Sequence, residues 1–173
     1  MSFEFLIAAE ETAAKVAEKA PSGFVNVWGG YIMAILGVVL AIVFAGIGSA
    51  FGVKYAASAG LGLMSEEPKR FMPCLVLSLL PSTQGIYGFV VAFMLFGKVA
   101  IGMGFQEGMT IFLAALPVGI IGFFSAILQG KVAAAGVNLA AKQPAHWSKA
   151  MILALTVEMF ALFGFLISIF MMG

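Results

Sequence analysis

The sequence predicts an all-α integral membrane protein with four transmembrane helices arranged as two tandem hairpins. Three observations support this fold class: an extreme apolar composition, four long apolar stretches, and a repeat between the two halves of the chain. Of the 173 residues, 62% are hydrophobic and only 10% are charged, whereas soluble domains carry about 25% charged residues. No soluble fold of this length would bury so much apolar surface, so the expected solvent is lipid.

Each apolar stretch is long enough to cross a bilayer as a helix. The stretches cover residues 29–53, 71–96, 109–132 and 149–172. A helix of about 20 residues spans the hydrocarbon core, and helix is expected because lipid offers an open backbone no hydrogen-bond partners. We therefore predict a first hairpin over residues 28–98 and a second over residues 108–173, preceded by an amphipathic extension over residues 1–27.

The charges that flank these stretches predict the orientation of the chain. Six basic residues lie on one side of the predicted helices: Lys54, Lys69, Arg70, Lys131, Lys142 and Lys149. Cytoplasmic flanks of membrane helices carry an excess of Lys and Arg, so this side is expected to face the cytoplasm. Both termini of this multi-pass cell-membrane protein would then be extracytoplasmic.

The two halves of the chain look related. Residues 44–49 align with residues 124–129, and residues 84–89 align with residues 158–163. Small residues recur every three or four positions on the first helix of each hairpin: Gly37, Ala41, Ala45, Gly48 and Gly52, and then Gly119, Gly122, Ala126, Gly130 and Ala133. Such stripes let helices approach closely in lipid. They suggest a tight inner circle of helices in an oligomer, with ordinary pairing within one chain as the alternative.

Composition excludes several classes of function. The net charge is +1 without a basic cluster, so no nucleic-acid partner is expected. The chain has one cysteine and one histidine, which rules out a disulfide framework and leaves too few ligands for a structural zinc site.

Glu158 is the residue that points most directly to function. The other seven acidic residues lie in the N-terminal segment or in loops, whereas Glu158 lies near the centre of the fourth apolar stretch. A carboxylate at mid-bilayer is costly and is a functional-site candidate by default. Alone it would tend to bind a proton, and among oxygen ligands it would bind a hard cation. A purely structural interhelical hydrogen bond is the remaining alternative.

Polar residues in the second and third stretches are candidate partners for Glu158. The second stretch has a stripe at positions i, i+3, i+4 and i+7 of a helix, which share one face: Leu80, Thr83, Gln84 and Tyr87. Pro81 predicts a kink that loosens neighbouring carbonyls. Gln129 adds a second buried amide. Together these groups fit an oxygen-lined cation pocket better than isolated hydrogen bonds.

Four motifs carry a family resemblance. They are GIGSA at residues 46–50, LLPSTQGIYGF at 79–89, QGKVAAAG at 129–136 and VE at 157–158. With these motifs, the chain resembles the 16-kDa proteolipid (subunit K) of bacterial sodium-translocating V-type ATPases from residue 29 to the C-terminus. The resemblance implies a homo-oligomeric rotor ring that is not an enzyme on its own, since ATP is hydrolysed or synthesised elsewhere in the complex.

The resemblance also implies a sodium site and a set of partners. The ion ligands of the family correspond to Glu158, Gln129, Gln84, the Thr83 hydroxyl and the Leu80 carbonyl, and Tyr87 corresponds to the tyrosine that locks the carboxylate. The implied partners are identical ring subunits, a stator membrane subunit with an essential arginine, a central-stalk subunit at the cytoplasmic loops, and the lipid bilayer. Met159 and Phe160 depart from the family pattern, which has a Thr–Tyr pair there.

Three other functions compete with a sodium-carrying rotor ring. A proton-translocating ring would use the same fold and Glu158, with Gln84 and Gln129 as hydrogen-bonding partners only. A small four-helix ion-coupled exporter would explain the lone carboxylate, but it predicts neither the repeat nor the paired small-residue stripes. A purely structural four-helix protein leaves Glu158 unexplained.

Overall fold

The computed structural model describes residues 24–173 as helices joined by short connections. The α-helices are α1 (Phe24–Glu66), α2 (Phe71–Leu79), α3 (Thr83–Phe96), α4 (Phe105–Lys142) and α5 (Trp147–Met171). Side chains are described from Trp28 onward. The predicted amphipathic extension over residues 1–27 lies outside the described residues, apart from residues 24–27 at the start of α1.

Four helical segments are long and apolar enough to cross a membrane, which confirms the predicted fold class. They are Trp28–Glu66, Pro68–Phe96, Phe105–Lys142 and Pro144–Met171. The second segment consists of α2, a 3₁₀ turn over Leu80–Ser82, and α3. A turn and short loop between Phe96 and Phe105 joins the two hairpins, and Gly102 there has a positive φ of 85°.

Helices α1 and α4 are much longer than their predicted apolar stretches. Helix α1 has 43 residues, or about 64 Å at 1.5 Å per residue, and it continues from Val53 to Glu66. Hydropathy ended the predicted stretch where charges appear, but Ala, Leu and Met in residues 54–66 favour helix regardless of solvent. The stop comes at Pro68, which favours an extended conformation for the residue before it.

Helices α1 and α4 pack closely against each other through their small residues. A Cβ atom added at Gly37 would lie 2.7 Å from the Cα of Phe112. Gly52 faces the backbone of Ala126, and Gly130 faces the backbone of Gly52. The predicted stripes therefore pair with one another inside a single chain. This allows two helix backbones to approach where any Cβ would collide.

Pro81 divides the second membrane segment. The chain changes from α-helix to a 3₁₀ turn at Leu80–Ser82 and resumes as α3 at Thr83. Proline lacks the N–H that an α-helix would use there, and its ring conflicts with the carbonyl four residues earlier. The predicted kink is therefore a 3₁₀ turn. It brings the Leu80 carbonyl within hydrogen-bonding distance of the Thr83 hydroxyl, at 3.0 Å.

Candidate ion-binding site

Glu158 lies near the middle of α5 and is buried, with 8% of its surface exposed. Its neighbours Leu155 and Met159 are exposed, as expected for side chains that face lipid. Within residues 28–173, the one ion pair joins Arg70 to Glu67, so Glu158 has no basic partner there. A buried carboxylate without such a partner has to be neutralised by a proton or by a bound cation.

Two side chains hold the Glu158 carboxylate, one from each of two other helices. The Tyr87 hydroxyl, on α3, donates a hydrogen bond to Oε1 of Glu158 at 2.7 Å. The Gln129 amide, on α4, donates to Oε2 at 3.3 Å. Tyr87 is itself positioned by the ring of Phe165, with centroids 5.2 Å apart. Both carboxylate oxygens therefore have a fixed partner.

The two glutamine amides form a buried bridge between α3 and α4. Gln84 and Gln129 are both fully buried, and Nε2 of Gln84 donates to Oε1 of Gln129 at 2.6 Å. Nε2 of Gln129 donates to the Ala154 carbonyl on α5 at 3.2 Å, in addition to its contact with Glu158. These bonds satisfy amide groups that would otherwise be costly to bury.

Thr83 and Leu80 extend this network to the 3₁₀ turn. The Thr83 hydroxyl lies 3.0 Å from the Leu80 carbonyl oxygen and 3.4 Å from Oε1 of Gln84. The six residues singled out from the sequence therefore lie together, linked in an unbroken series of polar contacts: Leu80, Thr83, Gln84, Gln129, Glu158 and Tyr87. They come from three of the four membrane segments.

The donor set of this cluster has the chemistry that a hard cation requires. It offers one carboxylate, two amides, one hydroxyl and one backbone carbonyl, all of them oxygen donors. Such oxygens suit an alkali or alkaline-earth ion better than a soft transition metal. Because only one of the donors carries a full negative charge, a monovalent cation balances the site.

Three buried serines near the helix contacts were not assigned a role from the sequence. Ser125 donates to the Val157 carbonyl at 3.1 Å, Ser49 accepts from the Gly85 amide at 2.8 Å, and Ser168 accepts from the Val118 amide at 3.1 Å. One signal was present: Ser125 lies four residues before Gln129, on the same face of α4. Met159 and Phe160, the two departures from the family pattern, are exposed on α5.

The fold and the cluster define the class of this protein. It is a multi-pass membrane protein of two tandem hairpins, with one buried carboxylate held between helices of both hairpins. The family model for the C subunit of ATP synthase matches the chain twice, over residues 36–95 and 112–171. The chain therefore belongs to this ATP synthase family, the ring-forming proteolipids of rotary ATPases, and the predicted duplication is confirmed.

Individual relatives support the same assignment. The V-type sodium ATPase subunit K of Enterococcus hirae is 45% identical over 140 residues, which cover 81% of this chain and 90% of that protein. The A-type ATP synthase subunit K of Methanocaldococcus jannaschii is 35% identical, covering 82% and 62% of the two chains. The 16 kDa proteolipid of the V-type proton ATPase of Nephrops norvegicus is 29% identical, covering 79% and 87%. The resemblance to subunit K is thereby confirmed.

Proposed function

We propose that this chain is the rotor-ring subunit of a rotary V-type ATPase that carries one Na⁺ per subunit across the membrane at Glu158. The observation that carries the proposal is a buried carboxylate without a basic partner among the described residues, joined in one polar cluster to Gln129, Gln84 and Thr83. A cation or a proton has to neutralise Glu158. A carboxylate that binds this ion from one side of the membrane and releases it to the other side transports the ion.

The oxygen-rich surroundings favour Na⁺ over a proton. A proton requires only the carboxylate, whereas the site also gathers Thr83, Gln84 and Gln129 at membrane depth, where unpaired polar groups are costly. The relative with 45% identity is named as a sodium ATPase subunit. The more distant relative from Nephrops norvegicus is named as a proton ATPase subunit, so a proton-carrying ring is the competing proposal.

The proposed mechanism follows from the cost of an ionised carboxylate in lipid. With Na⁺ bound, Glu158 is neutralised and the subunit can rotate past the bilayer. Tyr87 holds Oε1 during this passage through its 2.7 Å hydrogen bond. At the stator, an arginine of the partner subunit would compete for Glu158 and release the ion. ATP hydrolysis or synthesis elsewhere in the complex is coupled to rotation.

The proposed orientation puts the long ends of α1 and α4 in the cytoplasm. Helices α1 and α4 end at Glu66 and Lys142, on the side that carries most of the lysines and arginines. Such an excess of positive charge marks the cytoplasmic side. A central-stalk subunit would contact the loops there, and the C-terminus after Met171 would be extracytoplasmic. Family membership leaves the four-helix exporter without support.

Carbodiimide labelling of Glu158 tests the choice of ion. The reagent attacks a protonated carboxyl, so bound Na⁺ should protect Glu158, and protection should weaken as protons compete at lower pH. The measurement is the labelled fraction by mass spectrometry of purified protein, across pH, with and without NaCl. Glu107, exposed in the described structure, provides a matched control through Glu107→Gln, which should label at Glu158 like wild type.

The possible results separate the two proposals. Protection by NaCl supports the sodium ring. Labelling that follows pH and ignores Na⁺ would replace it with the proton ring. A Glu158 that reacts under no condition would contradict an ion-carrying role for this carboxylate.

A further inference from the structure

Ser125 lies between the Val157 carbonyl on α5 and the Gln84 amide on α3. It lies on α4 and is 4% exposed. Its Oγ donates to the carbonyl of Val157, the residue before Glu158, at 3.1 Å. The same Oγ lies 3.5 Å from Nε2 of Gln84. Ser125 thus joins α5 to an amide of the proposed site while remaining outside the proposed ligand set.

The Ser125 hydroxyl has a single proton, which determines whether Ser125 donates or accepts in its contact with Gln84. A backbone carbonyl can only accept, so the hydroxyl proton is committed to Val157. Toward Gln84, Ser125 can then only accept, and only the NH₂ end of the Gln84 amide can face it. The oxygen end is thereby turned toward Thr83, where Oε1 lies 3.4 Å from the hydroxyl.

The Gln129 amide is oriented by the same physical rule. Its Nε2 donates to the Ala154 carbonyl at 3.2 Å, and this acceptor cannot be exchanged for a donor. Oε1 of Gln129 therefore faces Gln84 and accepts from its Nε2 at 2.6 Å. Two carbonyls of α5 fix the two amides in turn, Ala154 directly and Val157 through Ser125.

We propose that Ser125 is a positioning residue that sets the orientation of the Gln84 amide and so tunes the site for a cation over a proton. The inference rests on the proposed sodium-carrying function. Without Ser125, the NH₂ end of the Gln84 amide keeps only one of its two acceptors, Oε1 of Gln129. The amide is then held less firmly, and rotation would present N–H groups where a cation needs oxygen. A proton bound directly to Glu158 does not need that oxygen.

The test compares ion binding in Ser125→Ala and wild type by carbodiimide labelling of Glu158 in the intact purified ring. We expect the NaCl concentration for half-protection to rise about three- to tenfold, the equivalent of one lost hydrogen bond. The pH profile of labelling without Na⁺ should remain that of wild type, because Tyr87 and Gln129 still hold the carboxylate. Ser125→Thr keeps the hydroxyl and should restore protection.

Ser168→Ala is the matched control. Ser168 is also a buried serine, with a 3.1 Å hydrogen bond between α5 and α4 at Val118, but none of its described hydrogen bonds reaches the Glu158 cluster. This variant should leave Na⁺ protection unchanged.

Three results would overturn the inference. Equal Na⁺ protection in Ser125→Ala and wild type would leave the sodium site intact and refute the positioning role alone. Parallel losses in Ser125→Ala and Ser168→Ala, with altered pH profiles in both, would reduce Ser125 to general packing. Wild-type labelling that ignores Na⁺ would overturn the sodium function together with the inference.

Discussion

The first and second hairpins share a fold and a family profile, yet they carry different polar residues at the level of Glu158 in the membrane. In the alignment of the two halves, Ser49 and Gln84 stand where the second hairpin has Gln129 and Glu158. The duplicated unit thus has its charged group in only one copy. The first hairpin keeps a neutral amide at the corresponding place, so the two described hairpins together bury one carboxylate instead of two.

The hydrogen bonds show what each half does with its polar pair. In the first hairpin, Ser49 accepts from the backbone of Gly85 at 2.8 Å and holds α3 beside Gln84. In the second, Gln129 reaches both the Ala154 carbonyl and the Glu158 carboxylate. Gln84 bonds across to Gln129. The first hairpin therefore contributes Gln84 and Tyr87 to the candidate site around Glu158.

Glu158→Gln breaks the comparison most severely, because it gives the second hairpin the neutral amide of the first. We expect Na⁺ transport by the reconstituted complete ATPase to fall to background, since no charged group remains to bind a cation. The measurement is radioactive sodium uptake into proteoliposomes, with assembly of the complex checked on native gels. Sustained sodium pumping by an assembled Glu158→Gln complex would refute the role of this residue.

Gln84→Leu tests whether the first hairpin contributes to ion binding. The substitution keeps roughly the same volume but removes the amide that bonds to Gln129 at 2.6 Å. The substitution also removes the Gln84 oxygen from the proposed ligand set, and a polar contact to a charged group is worth about 1.5–3 kcal/mol, so the apparent Na⁺ affinity should fall by about tenfold to 150-fold. The measurement is NaCl protection of Glu158 against carbodiimide. Unchanged protection would remove Gln84 from the proposed ligand set.

Ser49→Ala should have the smallest effect on ion binding. It tests whether the polar residue of α1 serves stability alone, unlike Gln129 at the corresponding place in the second hairpin. Losing the acceptor for the Gly85 amide should lower the free energy of unfolding by about 1–2 kcal/mol, measured as a lower unfolding temperature in detergent. Na⁺ protection of Glu158 should stay within about twofold of wild type. Ser78→Ala, which removes only a bond to Cys74 within α2, is the control. A large loss of protection in Ser49→Ala would place Ser49 among the positioning residues.

The sequence contained enough to predict the helix count and the residues that meet at Glu158. Gln84 and Tyr87 share a helical face by spacing alone, and a lone mid-membrane Glu stands out in any hydropathy profile. Their convergence with Gln129 was expected from family resemblance, and the structure brings all of them together.

The full length of α1 and the serine contacts were not predicted, for different physical reasons. Hydropathy detects where lipid ends, whereas a helix ends where its backbone stops hydrogen bonding, here at Glu66. The bond from Ser125 to Val157 depends on the relative rotation and depth of α4 and α5. Spacing within one helix does not determine either quantity.

The unbroken length of α1 has a mechanical consequence. A helix of 43 residues without an internal proline resists twisting and bending, whereas the second segment contains the 3₁₀ turn at Leu80–Ser82. A load applied near Glu66 would therefore be transmitted along α1 with little bending of the helix. Bending of the second segment would concentrate at this turn, beside Thr83 of the candidate site.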